Sequence, residues 1–118
     1  LGALGLPDIG ELFPNTDPQW DGAASATFLE AALVRVRDAG FTLGNLDATV
    51  ILERPKLAPH KAEIRQRLAD VLGVEQARVN VKGKTHERVD AVGEGRAIEV
   101  HAVVLLVATG EGFSRRPD

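Results

Sequence analysis

Asn45-Leu46-Asp47-Ala48-Thr49-Val50-Ile51-Leu52-Glu53 is the stretch that decides the fold. Leu46, Ala48, Val50 and Leu52 recur at every second position, the period of a strand that sets one face on a core. Ile51 joins from the opposite parity, so cover on both faces is expected. Directly after it, Pro59 opens a helix expected to reach Leu72, with Ile64, Leu68, Val71 and Leu72 facing the core and Gly73 ending it. A short strand from Arg78 to Lys84 follows, built on Val79 and Val81.

Upstream, a helix is expected from Thr27 to Ala39. Phe28, Leu29, Ala32, Leu33 and Val36 make its apolar face, Thr27 and Glu30 have capping-box spacing, and Gly40 can close it. Downstream, a polar turn from Thr85 to Arg96 leads into a last strand, Ala97 to Ala108. That strand ends in the unbroken apolar run Val103 to Val107, the pattern of a strand buried on both faces at a domain or subunit interface. The order helix, strand, helix, strand, strand gives an α+β two-layer sandwich, a mixed sheet with helices on one face. The other sheet face then needs a partner, and the chain is expected to form an oligomer.

The stretch from Pro7 to Ala24 is rich in Pro, Gly, Asp and Asn and reads as irregular. Leu1, Ala3, Leu4 and Leu6 look helical without a capping residue before them, so a preceding segment is expected. One domain, residues 1–108, accounts for the 118-residue length, with residues 109–118 as a disordered tail.

Composition excludes several classes of function. Fourteen basic against seventeen acidic residues argue against a general nucleic-acid binder, which needs a basic surface. No apolar run approaches the roughly 20 residues that cross a bilayer, so no membrane partner is expected. Without cysteine there is neither a disulfide framework nor thiolate chemistry, and a cytoplasmic setting fits.

Three clusters could carry chemistry. Asp8-Ile9-Gly10 with Phe13-Pro14-Asn15-Thr16-Asp17-Pro18 is a loop whose prolines fix its path. It either presents carboxylates and amides to a polar ligand or is a connector whose Asx turns satisfy its own backbone. Glu53-Arg54-Pro55-Lys56-Leu57-Ala58-Pro59-His60 lies between a strand end and a helix start, where free amides and Lys56 suit phosphate or base recognition; an ordinary turn with a solvated lysine is the alternative. Lys82-Gly83-Lys84-Thr85-His86-Glu87 joins cations, a hydroxyl and a carboxylate that could hold a diphosphate and its metal, or form a charged turn. His60, His86 and His101 are too scattered for a self-sufficient zinc motif.

In chain order these clusters resemble one family, the 2-C-methyl-D-erythritol 2,4-cyclodiphosphate synthases. L-G-A-L-G-L-P-D-I-G-E-L-F-P-N-T-D-P at Leu1–Pro18, N-L-D-A-T-V-I-L-E-R-P-K-L at Asn45–Leu57, V-N-V-K-G-K-T-H-E at Val79–Glu87 and G-E-G-R-A-I-E-V-H-A-V-V-L-L at Gly93–Leu106 carry the resemblance. It implies cyclisation of 4-diphosphocytidyl-2-C-methyl-D-erythritol 2-phosphate with release of CMP, in a homotrimer with active sites between subunits.

By that resemblance Asp8, Ile9 and Gly10 would contact the methylerythritol phosphate part, with Phe13, Pro14, Asn15, Thr16 and Asp17 framing it. Lys84 and His86 would join the substrate contacts. Leu52, Pro55, Lys56, Leu57 and Ala58 would form the cytidine pocket. Thr85 would stabilise the transition state, and Glu87 would bind Mg²⁺ or Mn²⁺. The family's zinc ion would be held by an Asp-x-His pair and another histidine, all upstream of the segment matching Leu1. Asn15 stands where an aspartate is common, Glu94 and Arg96 exchange the usual Arg and Glu, and Ala91 stands where a phenylalanine often lies. The last three departures put anion binding on a trimer axis in doubt. Two further readings are a non-catalytic trimeric nucleotide binder and the cyclase half of a fusion with a cytidylyltransferase.

Overall fold

The computed structural model describes residues 1–14, 16–20 and 24–110. The long elements are helix α2 (Ser25–Asp38), strand β1 (Phe41–Ile51), helix α3 (Lys61–Leu72), strand β2 (Val79–Lys84) and strand β3 (Glu99–Ala108). Two four-residue helices, α1 (Ile9–Leu12) and α4 (Asp90–Gly93), and 3-10 turns at Gly2–Leu4, Pro18–Trp20, Ala58–His60 and Gln76–Arg78 complete the order. The three strands form one sheet in the order β2-β1-β3. β1 and β2 are parallel, with Leu46 opposite Val79 and Ile51 opposite Lys84. β3 runs antiparallel to β1: Thr109 N donates to Gly40 O, and Gly44 lies against Leu105 and Val107. The sheet is therefore mixed, in an α+β fold, as the sequence pattern requires.

The chain divides into two compact units, one of Leu1–Gly44 with the chain from Leu105 onward, the other Asn45–Val104. In the first, Phe13, Leu33, Val36 and Leu43 are buried. The Phe13 ring tilts against Phe28 at 5.7 Å, and the Arg35 guanidinium lies 5.5 Å from its centroid. In the second, Ala48, Ile51, Leu52, Ala69, Leu72, Val79, Val81 and Val92 are buried. There α3 packs on β2, and Arg65 fastens the two. Its Nε donates to Val79 O at 2.7 Å and Gln76 O at 3.1 Å, and Nη2 donates to Gln76 O at 2.9 Å. The planar guanidinium thus fixes where β2 begins. Gly73 ends α3 in the left-handed conformation, φ 67°, as its position after Leu72 predicts.

Several boundaries differ from the sequence expectation. β1 begins at Phe41, ahead of Asn45, and Leu43 is buried. The strand's extension back to Phe41 passes through Gly44, where a Cβ would lie 3.0 Å from Val107 Cγ2 and 3.1 Å from Leu105 O, so close approach of β3 accounts for the glycine. The Thr27–Glu30 capping box does not form. α2 starts at Ser25 with Ala24 as N-cap and no side-chain cap, because Ser25 and Ala26 extend the helix backwards. Residues 58–60 make a 3-10 turn ahead of α3, so Pro59 precedes the helix proper.

The Val103–Val107 run is not buried within one chain. Val103 is 72% exposed and Leu105 58%, so the cover that its sequence demands is not supplied by the described residues. Thr109, the first residue of the expected tail, is tied to Gly40 O through its N–H and its hydroxyl. Asn15 and the tail beyond Gly110 lie outside the described residues. No helix among the described residues is long and apolar enough to cross a membrane.

Candidate active site

The parallel pair creates the site. β1 ends at Ile51 and β2 at Lys84, side by side, and Leu52 N donates to Lys84 O at 3.0 Å just beyond both ends. From there the two chains diverge into the 52–60 turn and the 85–90 turn. The crevice beyond the carboxyl ends of such strands is where α/β-type sheets place ligands.

A cleft of about 330 Å³ opens there, lined by Leu52, Glu53, Pro55, Lys56, Leu57, Ala58, Lys61, Gly83, Lys84 and Thr85. That volume suits a small organic ligand. All five residues expected to hold a nucleotide are on its wall, together with Lys84 and Thr85 from the expected diphosphate group. The side chain of Leu57 packs on Gly83, where a Cβ would sit 3.1 Å from its Cδ2 and 3.3 Å from its Cβ. The glycine lets the 52–60 turn close over the end of β2.

Lysine dominates the lining. Among the described residues Lys56, Lys61 and Lys84 carry no ion pair, whereas Lys82, further back on β2, is paired with Asp47 at 2.9 Å. The hydrogen bond from Lys82 holds the Asp47 carboxyl below its ordinary value of 3.8, with Asn80 Nδ2 on its other oxygen. Sequence reasoning missed Lys61, whose place on the wall depends on the 3-10 turn before α3. Glu53 lines this cleft and also an adjoining cavity of about 450 Å³ with Arg54, Arg88, Gly93 and Glu94. Its Oε2 is buried without a hydrogen-bond partner among the described residues.

The 85–90 turn is not extended. Glu87, Arg88 and Asp90 have φ of 52°, 66° and 61°, so a spacing of two does not by itself put Thr85 and Glu87 on one face as it would in a strand. Instead Thr85 Oγ1 accepts from Glu87 N at 3.3 Å, which leaves the hydroxyl hydrogen free to donate elsewhere. His86, expected among the substrate contacts, has its Nδ1 3.1 Å from Asp90 Oδ2 and its Nε2 3.7 Å from Glu99 Oε2. Glu99 Oε1 lies 2.8 Å from His101 Nε2. The hydrogen bond from His86, aided by those from Gly93 and Val92 N–H, holds the Asp90 carboxyl below 3.8. Glu87 is exposed, off the cleft wall.

The Asp8 cluster belongs to the other unit. Asp8 caps α1, its Oδ1 accepting from Glu11 N at 2.9 Å, and Asp17 Oδ1 accepts from Gln19 N at 3.0 Å. Each carboxylate thus does what the connector reading expects and keeps its second oxygen for other partners. Ile9 is exposed at 55%, Gly10 and Thr16 are exposed, Pro14 is half-buried, and Phe13 is a packing residue. Among the described residues no group of three His, Asp or Glu side chains is arranged to hold a metal ion.

Fold and cleft together define an α+β protein with a cationic crevice at the ends of a parallel strand pair. The chain belongs to the YgbB family, whose model matches residues 1–107. Over 107 residues it is 58% identical to the chloroplastic 2-C-methyl-D-erythritol 2,4-cyclodiphosphate synthase of Catharanthus roseus, covering 91% of this chain and 45% of that protein. It is 49% identical over 107 residues to the 2-C-methyl-D-erythritol 2,4-cyclodiphosphate synthase of Trichlorobacter lovleyi, covering 91% and 68%. IspF of Plasmodium falciparum, solved as a CDP complex, superposes with a TM-score of 0.81 at 38% identity, covering 92% of this chain and 64% of that one. The chain spans about half the length of the plant relatives that it matches.

Proposed function

We propose that the protein containing this chain cyclises 4-diphosphocytidyl-2-C-methyl-D-erythritol 2-phosphate to 2-C-methyl-D-erythritol 2,4-cyclodiphosphate and releases CMP. The observation that carries the proposal is the cleft, which puts the nucleotide-loop residues Leu52, Pro55, Lys56, Leu57 and Ala58 beside Lys84 and Thr85. The CDP bound to the Plasmodium relative supports the same ligand class.

In this reaction an oxygen of the 2-phosphate attacks the phosphorus attached to the sugar alcohol. The bond from that phosphorus to the bridging oxygen breaks, and its electron pair leaves with CMP. Phosphoryl transfer of this kind asks a protein mainly for positioning and charge stabilisation. Pro55 to Ala58 close one side of the nucleotide, and Lys56, Lys61 and Lys84 balance its phosphates. The free hydroxyl hydrogen of Thr85 donates to a phosphate oxygen whose charge grows. Asp8, Ile9, Gly10, Phe13, Pro14, Asn15, Thr16 and Asp17 complete the proposal as contacts to the methylerythritol part.

Glu87, a single hard-oxygen donor, would help hold Mg²⁺ or Mn²⁺, and the ion would supply charge neutralisation. The described residues do not fit a zinc centre, and no step is assigned to one. A homotrimer belongs to the same reading, supported by the uncovered Val103, Leu105 and Val107. So does a cytoplasmic setting, with the plant relative named as chloroplastic. The test is CMP release from this substrate by the full-length protein, with the cyclic product read by ³¹P NMR. Absence of both at saturating substrate and Mg²⁺ would sink the proposal.

A further inference from the structure

Three residues of the 85–90 turn, none of them glycine, hold the left-handed conformation. Side chains with a Cβ adopt that region reluctantly and stay there only where their surroundings over-determine it. Here the over-determination converges on one carboxylate. Asp90 Oδ1 accepts from Val92 N at 2.9 Å and Gly93 N at 3.3 Å, capping α4 from its first residue. Both Asp90 oxygens also lie within 3.2 Å of His86 Nδ1, which must carry the proton because an ionised carboxylate can only accept. The backbone repeats the closure: Val89 N donates to His86 O, and Gly93 N to Val89 O. On its other side the His86 ring faces Glu99 of β3. The turn is thus bound at one edge to α4 and at the other to the sheet. His86, the residue so bound, stands between Thr85 and Glu87.

We propose that Asp90 is a positioning residue: by gripping His86 and the first amides of α4 it holds Thr85 and Glu87 where the diphosphate and its divalent cation meet them. The inference rests on the cyclase reading above. Position 90 needs two properties at once, tolerance of a left-handed φ and an acceptor for His86 and the α4 amides. Asparagine keeps both, glycine keeps only the first and alanine keeps neither. Asp90→Asn, Asp90→Gly and Asp90→Ala therefore separate conformation from grip.

The experiment uses the full-length protein and reads steady-state cyclisation, the Mg²⁺ concentration for half-maximal rate, CMP binding by calorimetry, and amide hydrogen exchange. Asp90→Gly is expected to lower kcat by about 10- to 100-fold, with KM and CMP affinity close to the parent's. Its Mg²⁺ requirement rises, and the Glu87 amide exchanges faster while α3 amides do not. Asp90→Asn should restore most of kcat; Asp90→Ala should fall at or below Asp90→Gly. Parental kcat and Mg²⁺ dependence in Asp90→Gly would overturn the positioning role and leave the cyclase reading standing. Loss of CMP affinity in step with kcat would also overturn it, as the mark of general unfolding. A parent protein that releases no CMP but shows the same exchange pattern would overturn the cyclase reading, and the catalytic purpose of the grip with it.

Discussion

Lys61 offers the sharpest test of the cleft. It lies on the wall with Lys56 and Lys84, its ammonium has no ion pair among the described residues, and Glu53 is the acidic residue among those that line the cleft. Lys61→Ala removes one unit of charge from a site proposed to hold a diphosphate. Two unit charges 4 Å apart attract by about 4 kcal/mol at a surface-like effective dielectric of ~20 and by about 1 kcal/mol in bulk water. Lys61 is exposed, which places the expected loss towards the lower figure, at about 1–2 kcal/mol or roughly 5- to 30-fold in Kd. Calorimetry with CDP, CMP and cytidine on the full-length protein reads this directly. The loss should be greatest for CDP, smaller for CMP and absent for uncharged cytidine, and it should shrink at high salt. Lys82→Ala is the control: it makes the same change in net charge from a lysine already paired with Asp47 and off the cleft wall. An equal loss in both variants, or an equal loss for cytidine, would refute a direct phosphate contact.

Arg65→Met removes the guanidinium donors from Gln76 O and Val79 O, leaves Gln76 O its bond from Val79 N–H, and should cost about 1–3 kcal/mol, seen as a lower urea midpoint. Arg65→Lys should recover little, since one ammonium cannot reproduce the fork. Gly93→Ala drives a Cβ into the Arg88 backbone carbonyl carbon, so the turn must shift; a loss of about 1–3 kcal/mol is expected in the same assay. Asp47 and Asp90 are both held below 3.8, so their contributions are complete above that pH and fall away as pH drops through the lowered folded values. Asp90→Asn should remove the Asp90 contribution at neutral pH, so its urea midpoint should lie below the parent's there and the two should converge as pH drops through the lowered folded value. Val103→Glu, on the most exposed apolar position of β3, should shift light scattering from the proposed trimer towards a monomer; an unchanged assembly would take β3 out of the proposed interface.

Strand alternation and the glycines after the helices made most of the fold legible, because both are local signals. Leu46, Ala48, Val79 and Val81 needed only the period of two, and Gly73 only its place after Leu72. What escaped depended on partners distant in sequence. The start of β1 at Phe41 depends on β3 lying against Gly44, and the start of β2 on the Arg65 guanidinium reaching Val79 O and Gln76 O. The Thr27–Glu30 pair has capping spacing, but a better start lay two residues earlier, with nothing in Ser25 or Ala26 to oppose it. Val103 to Val107 announced a need for cover without saying what meets it. The cleft was legible through its resemblance to a family, while Lys61 was hidden behind a 3-10 turn and the His86–Asp90 grip behind left-handed residues that no propensity favours.

The two walls of the cleft are built by different means, and this sets how they respond to change. The wall that starts at Leu52 grows from a parallel ladder, continued one bond past the strands by Leu52 N and Lys84 O. Backbone pairing in a buried strand pair depends little on any single side chain, so the proposed nucleotide side should tolerate substitution in its frame and change mainly through the groups proposed to touch ligand. The wall beyond Thr85 has no ladder. It leaves β2, turns through three left-handed residues and is held by one carboxylate, one imidazole and the amides of α4. Such a turn is precise only while every member is present, because each left-handed residue has a relaxed alternative nearby. Binding and turnover should therefore separate under mutation. Changes at Lys56 or Lys61 move affinity for charged nucleotides, and changes at Asp90 move the rate and its metal dependence. A variant in either wall that altered both in equal measure would show that the walls are one mechanical unit, contrary to the way their hydrogen bonds are laid out.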